Sequence, residues 1–215
     1  MSATLRITEI FYSLQGEART VGYPTVFIRL TGCPLRCQYC DTAYAFSGGI
    51  IYQLDEVLKE VKGFNTSYVT VTGGEPLAQE GCQDLLTELC SQGYEVSLET
   101  SGAMDVSSVD PRVVKVMDLK TPGSQEMHRN LMSNIAFLNS RDQVKFVICN
   151  EQDYQWAKQQ TNEHSLDEKV SDVLFSPSRD ELDARQLAEW ILADQLNVRM
   201  QVQLHKYLWG NDPGH

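Results

Sequence analysis

Three cysteines lie within eight residues of the segment TGCPLRCQYCDT, which runs from Thr31 to Thr42. Cys33, Cys37 and Cys40 are separated by three and then two residues. Three thiolates are one too few for a closed zinc site, which takes four protein ligands. They suit a [4Fe–4S] cluster with one iron left open, since such a cluster takes one cysteine per iron. The residues alone leave two alternatives open: a zinc site completed by a distant side chain, and a set of free thiols.

The composition narrows the class of protein. A hydrophobic fraction of 42% over 215 residues indicates a globular chain and not a disordered one. The sequence has no apolar run near the ~20 residues of a membrane helix, and its N-terminus lacks the pattern of a signal peptide. A net charge of -11 argues against broad contact with nucleic acid. We therefore expect one cytoplasmic domain, residues 1–215, that acts on a small molecule and has no nucleic-acid or membrane partner.

Strand-like and helix-like segments alternate along the chain. Apolar and β-branched runs predict strands at 25–30, 67–72, 94–99, 113–118, 143–148, 173–175 and 199–204. Apolar residues at helical spacing predict helices at 54–61, 85–89, 153–160 and 187–191. Residues 9–16 are interpreted as apolar sequence that leads into a polar loop.

Long crossovers between successive strands imply a parallel sheet with helices outside it. Six or seven strands are too few for an eight-stranded barrel, so we predict an α/β fold of the partial-barrel type. The cysteines follow the strand at 25–30, and GGEP follows the strand at 67–72. Chemistry in parallel sheets is concentrated at this end of the strands.

Two features near the cysteines admit both a functional and a structural interpretation. Arg29 stands inside an apolar strand, where a charge is costly unless it is paired. Its guanidinium could receive a ligand carboxylate, or it could pair with a protein carboxylate such as Glu17 or Glu99. GGEP, at 73–76, is either an ordinary turn or, because glycine has no Cβ, a place where the backbone approaches a ligand closely.

Together these motifs resemble a known superfamily. A CxxxCxxC loop after a strand, with Tyr39 directly before the third cysteine and GGEP one strand later, resembles the radical S-adenosylmethionine superfamily. SLQGEA, GCPLRC, LETSG, MDLKTPGS, VKFVI and LHK then resemble the 7-carboxy-7-deazaguanine synthase family over nearly the whole chain. Ala18 departs from the QGEG that is usual in that family.

The resemblance implies a specific reaction. S-adenosylmethionine would chelate the open iron and be cleaved to a 5′-deoxyadenosyl radical, and 6-carboxy-5,6,7,8-tetrahydropterin would become 7-carboxy-7-deazaguanine with loss of ammonia, on the route to queuosine. It also implies Mg²⁺, a homodimer, and an electron donor such as flavodoxin or ferredoxin. Two other hypotheses are kept: an activase of the same superfamily that abstracts hydrogen from a glycine of a partner protein, and a non-enzymatic zinc-binding module.

The resemblance also assigns roles to individual residues. Cys33, Cys37 and Cys40 would hold the cluster and form the catalytic centre. The residues implied at the substrate are Leu14, Gln15, Gly16, Glu17, Arg29, Thr72, Glu99 and His205. The residues implied at the cofactor are Tyr39, Cys40, Asp41, Gly74, Asp118, Lys120 and Lys145. Thr42 would bind magnesium, although on the residues alone Asp41 could be the ligand or could cap the turn.

Overall fold

A nine-stranded sheet runs through the computed structural model, which describes residues 3–210, 212 and 214. The strands are β1 (Thr4–Leu14), β2 (Pro24–Leu30), β3 (Ile50–Gln53), β4 (Tyr68–Gly73), β5 (Glu95–Thr100), β6 (Val114–Asp118), β7 (Gln143–Ile148), β8 (Asp172–Pro177) and β9 (Arg199–Met200). The α-helices of the described residues are α1 (Leu54–Val61), α2 (Cys82–Ser91), α3 (Glu151–Glu163), α4 (Leu166–Lys169), α5 (Ala184–Asp194) and α6 (Leu204–Trp209).

The sheet is open and mostly parallel. Its strands lie in the order β3-β1-β2-β4-β5-β6-β7-β8-β9. The neighbouring pairs β2–β4, β4–β5, β5–β6, β6–β7, β7–β8 and β8–β9 are all parallel. Strand β1 pairs antiparallel with both β2 and β3. The prediction of a partial barrel with six or seven parallel strands is thus confirmed, and the two antiparallel strands are additions to it.

Two parts of the sequence prediction were wrong. Residues 9–14 do not lead into a loop but form the second half of β1 and pair with β2. Buried and exposed residues alternate clearly only at 4–7, the part of β1 that also pairs with β3. The last strand ends at Met200, because β9 pairs with β8 at only two positions. Residues 204–209, including His205, form helix α6 instead.

The predicted helices are present with somewhat different bounds, and α1 shows why they form. Its apolar positions 54, 57, 58 and 61 recur at helical spacing and are all buried. Its N-terminus is closed by a capping box in which the backbone N–H of Gln53 donates to Glu56 Oε2 at 2.8 Å. Such helices cover the sheet, and the core forms two apolar clusters, one around β1–β5 with α1 and α2 and one around β6–β8 with α3–α5.

The candidate site lies at the carboxyl edge of the parallel strands. The segment 31–42, called the cluster loop below, follows β2, and GGEP begins at the last residue of β4. ETSG and DLKTPGS begin in the last residues of β5 and β6. The longest described helix, α3, has 13 residues, and within the described ranges no helix has the length and apolar character required to cross a bilayer.

Candidate active site

The backbone of the cluster loop is fixed by its neighbours. The N–H of Gly32 donates to Ala45 O at 2.8 Å, and that of Gln38 donates to Ser124 O at 3.1 Å. Inside the loop, Arg36 Nη1 donates to the carbonyls of Cys33 and Leu35 at 2.7 and 2.6 Å. The cluster loop is therefore held in one conformation by several hydrogen bonds across the sheet edge.

The three cysteines of the cluster loop are partly buried free thiols. Burial raises the pKa of Cys37 to about 11, although the nearby Lys120 ammonium acts to lower it. Burial also raises the pKa of Cys33. Across residues 3–210, 212 and 214 no three Cys, His, Asp or Glu side chains are gathered closely enough to hold a metal ion. A four-iron cluster makes a different demand, because it takes one thiolate per iron and spreads them apart.

GGEP packs directly against the cluster loop. The N–H of Gly74 donates to Leu30 O at 3.1 Å, and that of Glu75 donates to Gly32 O at 2.8 Å. A Cβ on Gly74 would stand 2.2 Å from Gly32 O and 2.8 Å from the Cβ of Cys33. Only glycine allows GGEP to pack this closely against the cluster loop. The approach of Gly74 to a cofactor stays a prediction.

Glu75 links GGEP to ETSG. Its fully buried carboxylate accepts hydrogen bonds from Ser101 N at 2.7 Å, Ser101 Oγ at 2.5 Å, Thr100 Oγ1 at 2.9 Å and Leu77 N at 3.1 Å. We call this arrangement the Glu75 junction. Sequence reasoning missed its role, although a carboxylate directly after a buried strand signals a required partner.

Asp118, Lys120 and Tyr39 form a second polar group beside the cysteines, called the Lys120 cluster below. Asp118 Oδ2 pairs with Lys120 Nζ at 2.9 Å, and Lys120 Nζ lies 5.8 Å from the centre of the Tyr39 ring. Burial acts to lower the pKa of Lys120, but Asp118, Tyr39 and Cys37 outweigh it and hold that pKa well above its usual range. The lysine is therefore charged.

Two atoms of the Lys120 cluster lack partners. Asp118 Oδ1 and the Tyr39 hydroxyl are buried and make no hydrogen bond within the described part of the chain. A buried polar atom without a partner costs about 1–3 kcal/mol, so such atoms are rare unless a ligand meets them. Three thiols, a glycine cradle and these two atoms together fit an iron–sulfur cluster with a polar organic cofactor bound to it.

Glu17 and Lys145 form an ion pair on the opposite side of the candidate site. Glu17 Oε1 also accepts a hydrogen bond from Gln203 Nε2 at 2.7 Å. Burial acts to raise the pKa of Glu17, but the Lys145 ammonium and the Gln203 amide outweigh it and lower that pKa. The pKa of Lys145 is raised, because Glu17, Asp118 and Glu99 together outweigh burial. Lys145, predicted at the cofactor, thus lies between the Lys120 cluster and Glu17.

Glu99 has the opposite electrostatic character. Thr72 Oγ1 donates to its Oε2 at 2.9 Å, which joins two residues predicted at the substrate. Burial raises the pKa of Glu99, and the neighbouring Glu17 charge raises it further. Two buried carboxylates near each other are thereby pushed toward different protonation states, as in sites that use one acid and one anion.

The segment 14–17 is held mainly by its own protein contacts. Leu14 ends β1 opposite Pro24. Gln15 is only 2% exposed, and its side chain donates to Thr70 Oγ1 at 3.0 Å and accepts from Glu17 N at 3.1 Å. Gly16 packs against His205, whose Nδ1 would stand 2.1 Å from a Cβ at that position. Burial lowers the pKa of His205, against the raising effect of Glu17 and Asp41.

Arg29 pairs with a carboxylate that the sequence analysis did not name. Its Nε donates to Glu9 Oε1 at 2.6 Å, and the same oxygen accepts from the Tyr44 hydroxyl at 2.7 Å. The suggested partners Glu17 and Glu99 were wrong, because Glu9 faces Arg29 across the β1–β2 pair, and strand β1 was not predicted. The Nη groups of the guanidinium provide its remaining donors.

Asp41 and Thr42 form the exposed end of the cluster loop. Thr42 Oγ1 donates to Asp41 Oδ1 at 2.8 Å, and Lys206 Nζ of α6 lies 2.5 Å from Asp41 Oδ2. Burial acts to raise the pKa of Asp41, but Lys206 and Thr42 lower it well below its usual range. Lys206 lies in the LHK segment of the family resemblance, but neither it nor Gln203 was assigned a role, since that role depends on where a short C-terminal helix packs.

The comparisons with known proteins agree with this geometry. A sequence model of the Radical SAM superfamily matches residues 27–119, from β2 through the cluster loop to just beyond β6. The chain is 46% identical to 7-carboxy-7-deazaguanine synthase of Chlorobaculum tepidum, over 98% of this chain and 96% of the relative. It belongs to the 7-carboxy-7-deazaguanine synthase family. The synthase of Koribacter versatilis is 42% identical, over 95% of this chain and 97% of the relative.

A solved structure supports the fold independently. The crystal structure of QueE from Escherichia coli superposes with a TM-score of 0.77 at 24% identity, over 95% of that chain and 94% of this one. Family membership makes the chain a radical S-adenosylmethionine enzyme and implies a [4Fe–4S] cluster and S-adenosylmethionine. The prediction of a 7-carboxy-7-deazaguanine synthase is confirmed over the zinc-module and activase hypotheses.

Proposed function

We propose that this chain converts 6-carboxy-5,6,7,8-tetrahydropterin into 7-carboxy-7-deazaguanine with loss of ammonia. The observation that carries the proposal is the division of the site into two sides that share Lys145. The cluster loop, GGEP and the Lys120 cluster form one side, and Glu17, Thr72 and Glu99 form the other. Lys145 pairs with Glu17 and lies beside Asp118 in the β6–β7 register, so it connects the two sides.

The cofactor side would be held by residues of known geometry. Cys33, Cys37 and Cys40 would bind the cluster, and Gly74 lets GGEP pack against the loop that carries these cysteines. Asp118 Oδ1 and the Tyr39 hydroxyl are polar atoms that S-adenosylmethionine could satisfy. When bound, the cluster and S-adenosylmethionine supply one-electron hydrogen-abstraction chemistry. The protein residues orient these groups and exclude water.

The substrate side offers donors and acceptors for a pterin. The raised pKa of Glu99, which burial causes, favours a neutral carboxylic acid that can donate a hydrogen bond. Glu17, kept as an anion chiefly by Lys145, can accept one. We infer that the free Nη donors of Arg29 receive the substrate carboxylate, with Glu9 fixing the guanidinium through Nε.

We also propose Thr42 as the protein ligand of a magnesium ion that joins enzyme and substrate. Support comes from the hydroxyl proton of Thr42, which is donated to Asp41 and leaves the oxygen lone pairs for a hard cation. We further infer that residues 1–215 act as one cytoplasmic domain in a homodimer. A flavodoxin or ferredoxin would reduce the cluster.

The proposed reaction is tested by an anaerobic assay. Reconstituted protein, dithionite, S-adenosylmethionine, Mg²⁺ and 6-carboxytetrahydropterin should yield a deazaguanine detectable by mass spectrometry. Cys37→Ala should lose both the visible absorbance of the cluster and all turnover, because one of three iron ligands is gone. Cys90→Ala, a partly buried cysteine outside the cluster loop, is the matched control and should keep both. Absence of the deazaguanine with a fully loaded cluster would refute the proposed reaction.

A further inference from the structure

The C-terminal segment 201–206 contacts both loops of the candidate site. The Gln201 side chain makes two hydrogen bonds with the backbone of Ala18. It accepts from the Ala18 N–H at 2.9 Å and donates to the Ala18 carbonyl at 3.1 Å. Gln203 donates to Glu17, and Leu204 N donates to Gly16 O at 3.0 Å. Lys206 reaches the other loop, at Asp41. The segment 201–206 therefore connects the substrate side of the site to the cluster loop.

The contact of Lys206 continues into the cluster loop. Lys206 Nζ lies 2.5 Å from Asp41 Oδ2, and the other oxygen of this carboxylate accepts the Thr42 hydroxyl at 2.8 Å. The Lys206 side chain is 16% exposed and the Asp41 side chain 45%, so solvent screens this ion pair less than a fully exposed surface pair. An ammonium on one carboxylate oxygen fixes the direction in which the other oxygen faces.

A hydroxyl that binds a cation must direct its lone pairs at the cation and its proton elsewhere. In this site Asp41 accepts the hydrogen bond of the Thr42 hydroxyl, and Lys206 pairs with the other oxygen of the same carboxylate. Partners of metal ligands of this kind commonly change metal affinity 10–100-fold when they are removed.

We propose that Lys206 is a positioning residue for the magnesium ligand Thr42, acting through Asp41, so that the C-terminal helix α6 takes part in assembling the metal site. The inference rests on the proposed function of Thr42 and extends it to a residue outside the cluster loop. Lys206 touches neither the substrate nor the metal in this arrangement. Lys206 affects the affinity of the site for the cation and takes no part in the chemical steps.

The test measures cation binding directly. Mn²⁺, which has the same ligand preferences as Mg²⁺, is titrated into reconstituted enzyme with bound substrate, and free Mn²⁺ is followed by electron paramagnetic resonance. Lys206→Met should raise the Kd for Mn²⁺ by about tenfold and raise the Mg²⁺ concentration for half-maximal activity similarly. Lys206→Arg, which restores a cation that can pair with Asp41, should recover most of the affinity.

Lys158→Met is the matched control, because Lys158 pairs with Asp194 at 2.8 Å on the distant helices α3 and α5. It should leave the Mn²⁺ affinity unchanged. Equal or tighter Mn²⁺ binding by Lys206→Met than by wild type would overturn the role of Lys206, since loss of a nearby ammonium by itself favours a divalent cation. Deazaguanine formation by wild type would show that the proposed reaction stands regardless. A loss in Lys206→Met that Lys206→Arg does not recover would also count against it, since a charge-independent packing defect would explain that result.

Discussion

The Glu75 junction and the Lys120 cluster are buried polar groups at the same edge of the sheet, yet they differ in hydrogen bonding. Both oxygens of Glu75 accept hydrogen bonds, from the backbone and side chain of Ser101, from Thr100 and from Leu77. In the Lys120 cluster, Asp118 Oδ1 and the Tyr39 hydroxyl have no partner within the described residues.

This difference indicates that the Glu75 junction stabilises the fold, whereas the Lys120 cluster is suited to binding a ligand. A buried carboxylate whose lone pairs are used by the protein itself contributes to one defined fold. A buried oxygen without a partner lowers the stability of the free protein and becomes favourable only when a ligand supplies the missing bond. GGEP therefore has two tasks: Glu75 joins the ends of β4 and β5 through hydrogen bonds, and Gly74 allows the backbone to pack directly against the cluster loop.

Breaking the Glu75 junction should produce the largest effect on stability. Glu75→Gln replaces one carboxylate oxygen with an NH₂ group, which cannot accept hydrogen bonds. Depending on which oxygen is replaced, either the hydrogen bonds from Ser101 or those from Thr100 and Leu77 are lost. We expect the free energy of unfolding to fall by about 2–4 kcal/mol, because buried donors lose a charged acceptor. Urea denaturation of the apo protein under reducing conditions measures it.

The exposed Glu80 provides the control for this change, since Glu80→Gln alters the same chemical group five residues away. Its effect should stay within about 0.5 kcal/mol. Equal stability of Glu75→Gln and Glu80→Gln would show that the hydrogen bonds to the Glu75 carboxylate do not stabilise the fold.

The sequence was sufficient for those features that depend on local patterns. The parallel strands and the helix α1 follow from periodicity, and the cluster loop follows from cysteine spacing. Strand β1 was absent from the prediction. Beyond Ile7 its residues are mostly half-buried and do not alternate, so this half gives no strand pattern. With that strand absent from the prediction, Glu9 could not be recognised as the partner of Arg29.

Features that depend on tertiary packing gave no sequence signal. Gln203 and Lys206 look like ordinary polar residues near the end of the chain, and they matter only because α6 packs over the loops of the site. The length of β9 likewise depends on pairing with β8 and not on its own residues. Strand periodicity and cysteine spacing thus predicted which loops meet at the sheet edge, and the family resemblance named most of the residues there. The contacts that orient these residues required the fold.

The reactivity of the Cys37 thiol provides a second test of the cluster loop in the apo protein. Burial raises the pKa of Cys37 to about 11, so below pH 9 the folded apo protein holds it almost entirely as a thiol. Alkylation by iodoacetamide requires the thiolate. At pH 8 we expect Cys37 to react about a hundredfold more slowly in the folded apo protein than in urea, because its pKa differs by about two units.

Mass spectrometry of the peptide that contains Cys37 measures the rate from pH 7 to 10. In the folded apo protein the rate should rise about tenfold per pH unit without a plateau, whereas in urea it should level off above pH 9. The raised pKa also means that deprotonation opposes folding, so the apo protein should lose stability as the pH rises from 9 toward 11. A plateau near pH 8 in the folded protein would contradict the burial of this thiol.

The smallest effect concerns backbone strain next to the substrate side of the site. Where GGEP and the cluster loop need a positive φ, glycine occupies the position, as at Gly73 and Gly32. Ala18, by contrast, has φ of +60° and is alanine in the position where the family usually has glycine. Its backbone N–H and carbonyl are both held by Gln201, so the conformation is imposed by tertiary contacts.

Ala18→Gly should therefore raise the free energy of unfolding by up to about 1 kcal/mol, since the left-handed conformation costs alanine about 1–2 kcal/mol and part of the gain is offset by glycine entropy. Urea denaturation measures the change, with Ala78→Gly at an exposed position of the turn after GGEP as the control. Gln201→Ala should remove the advantage of glycine, because without the glutamine nothing holds residue 18 in the left-handed region. Destabilisation by Ala18→Gly would show that the segment relaxes into an ordinary conformation and that alanine carries no strain there.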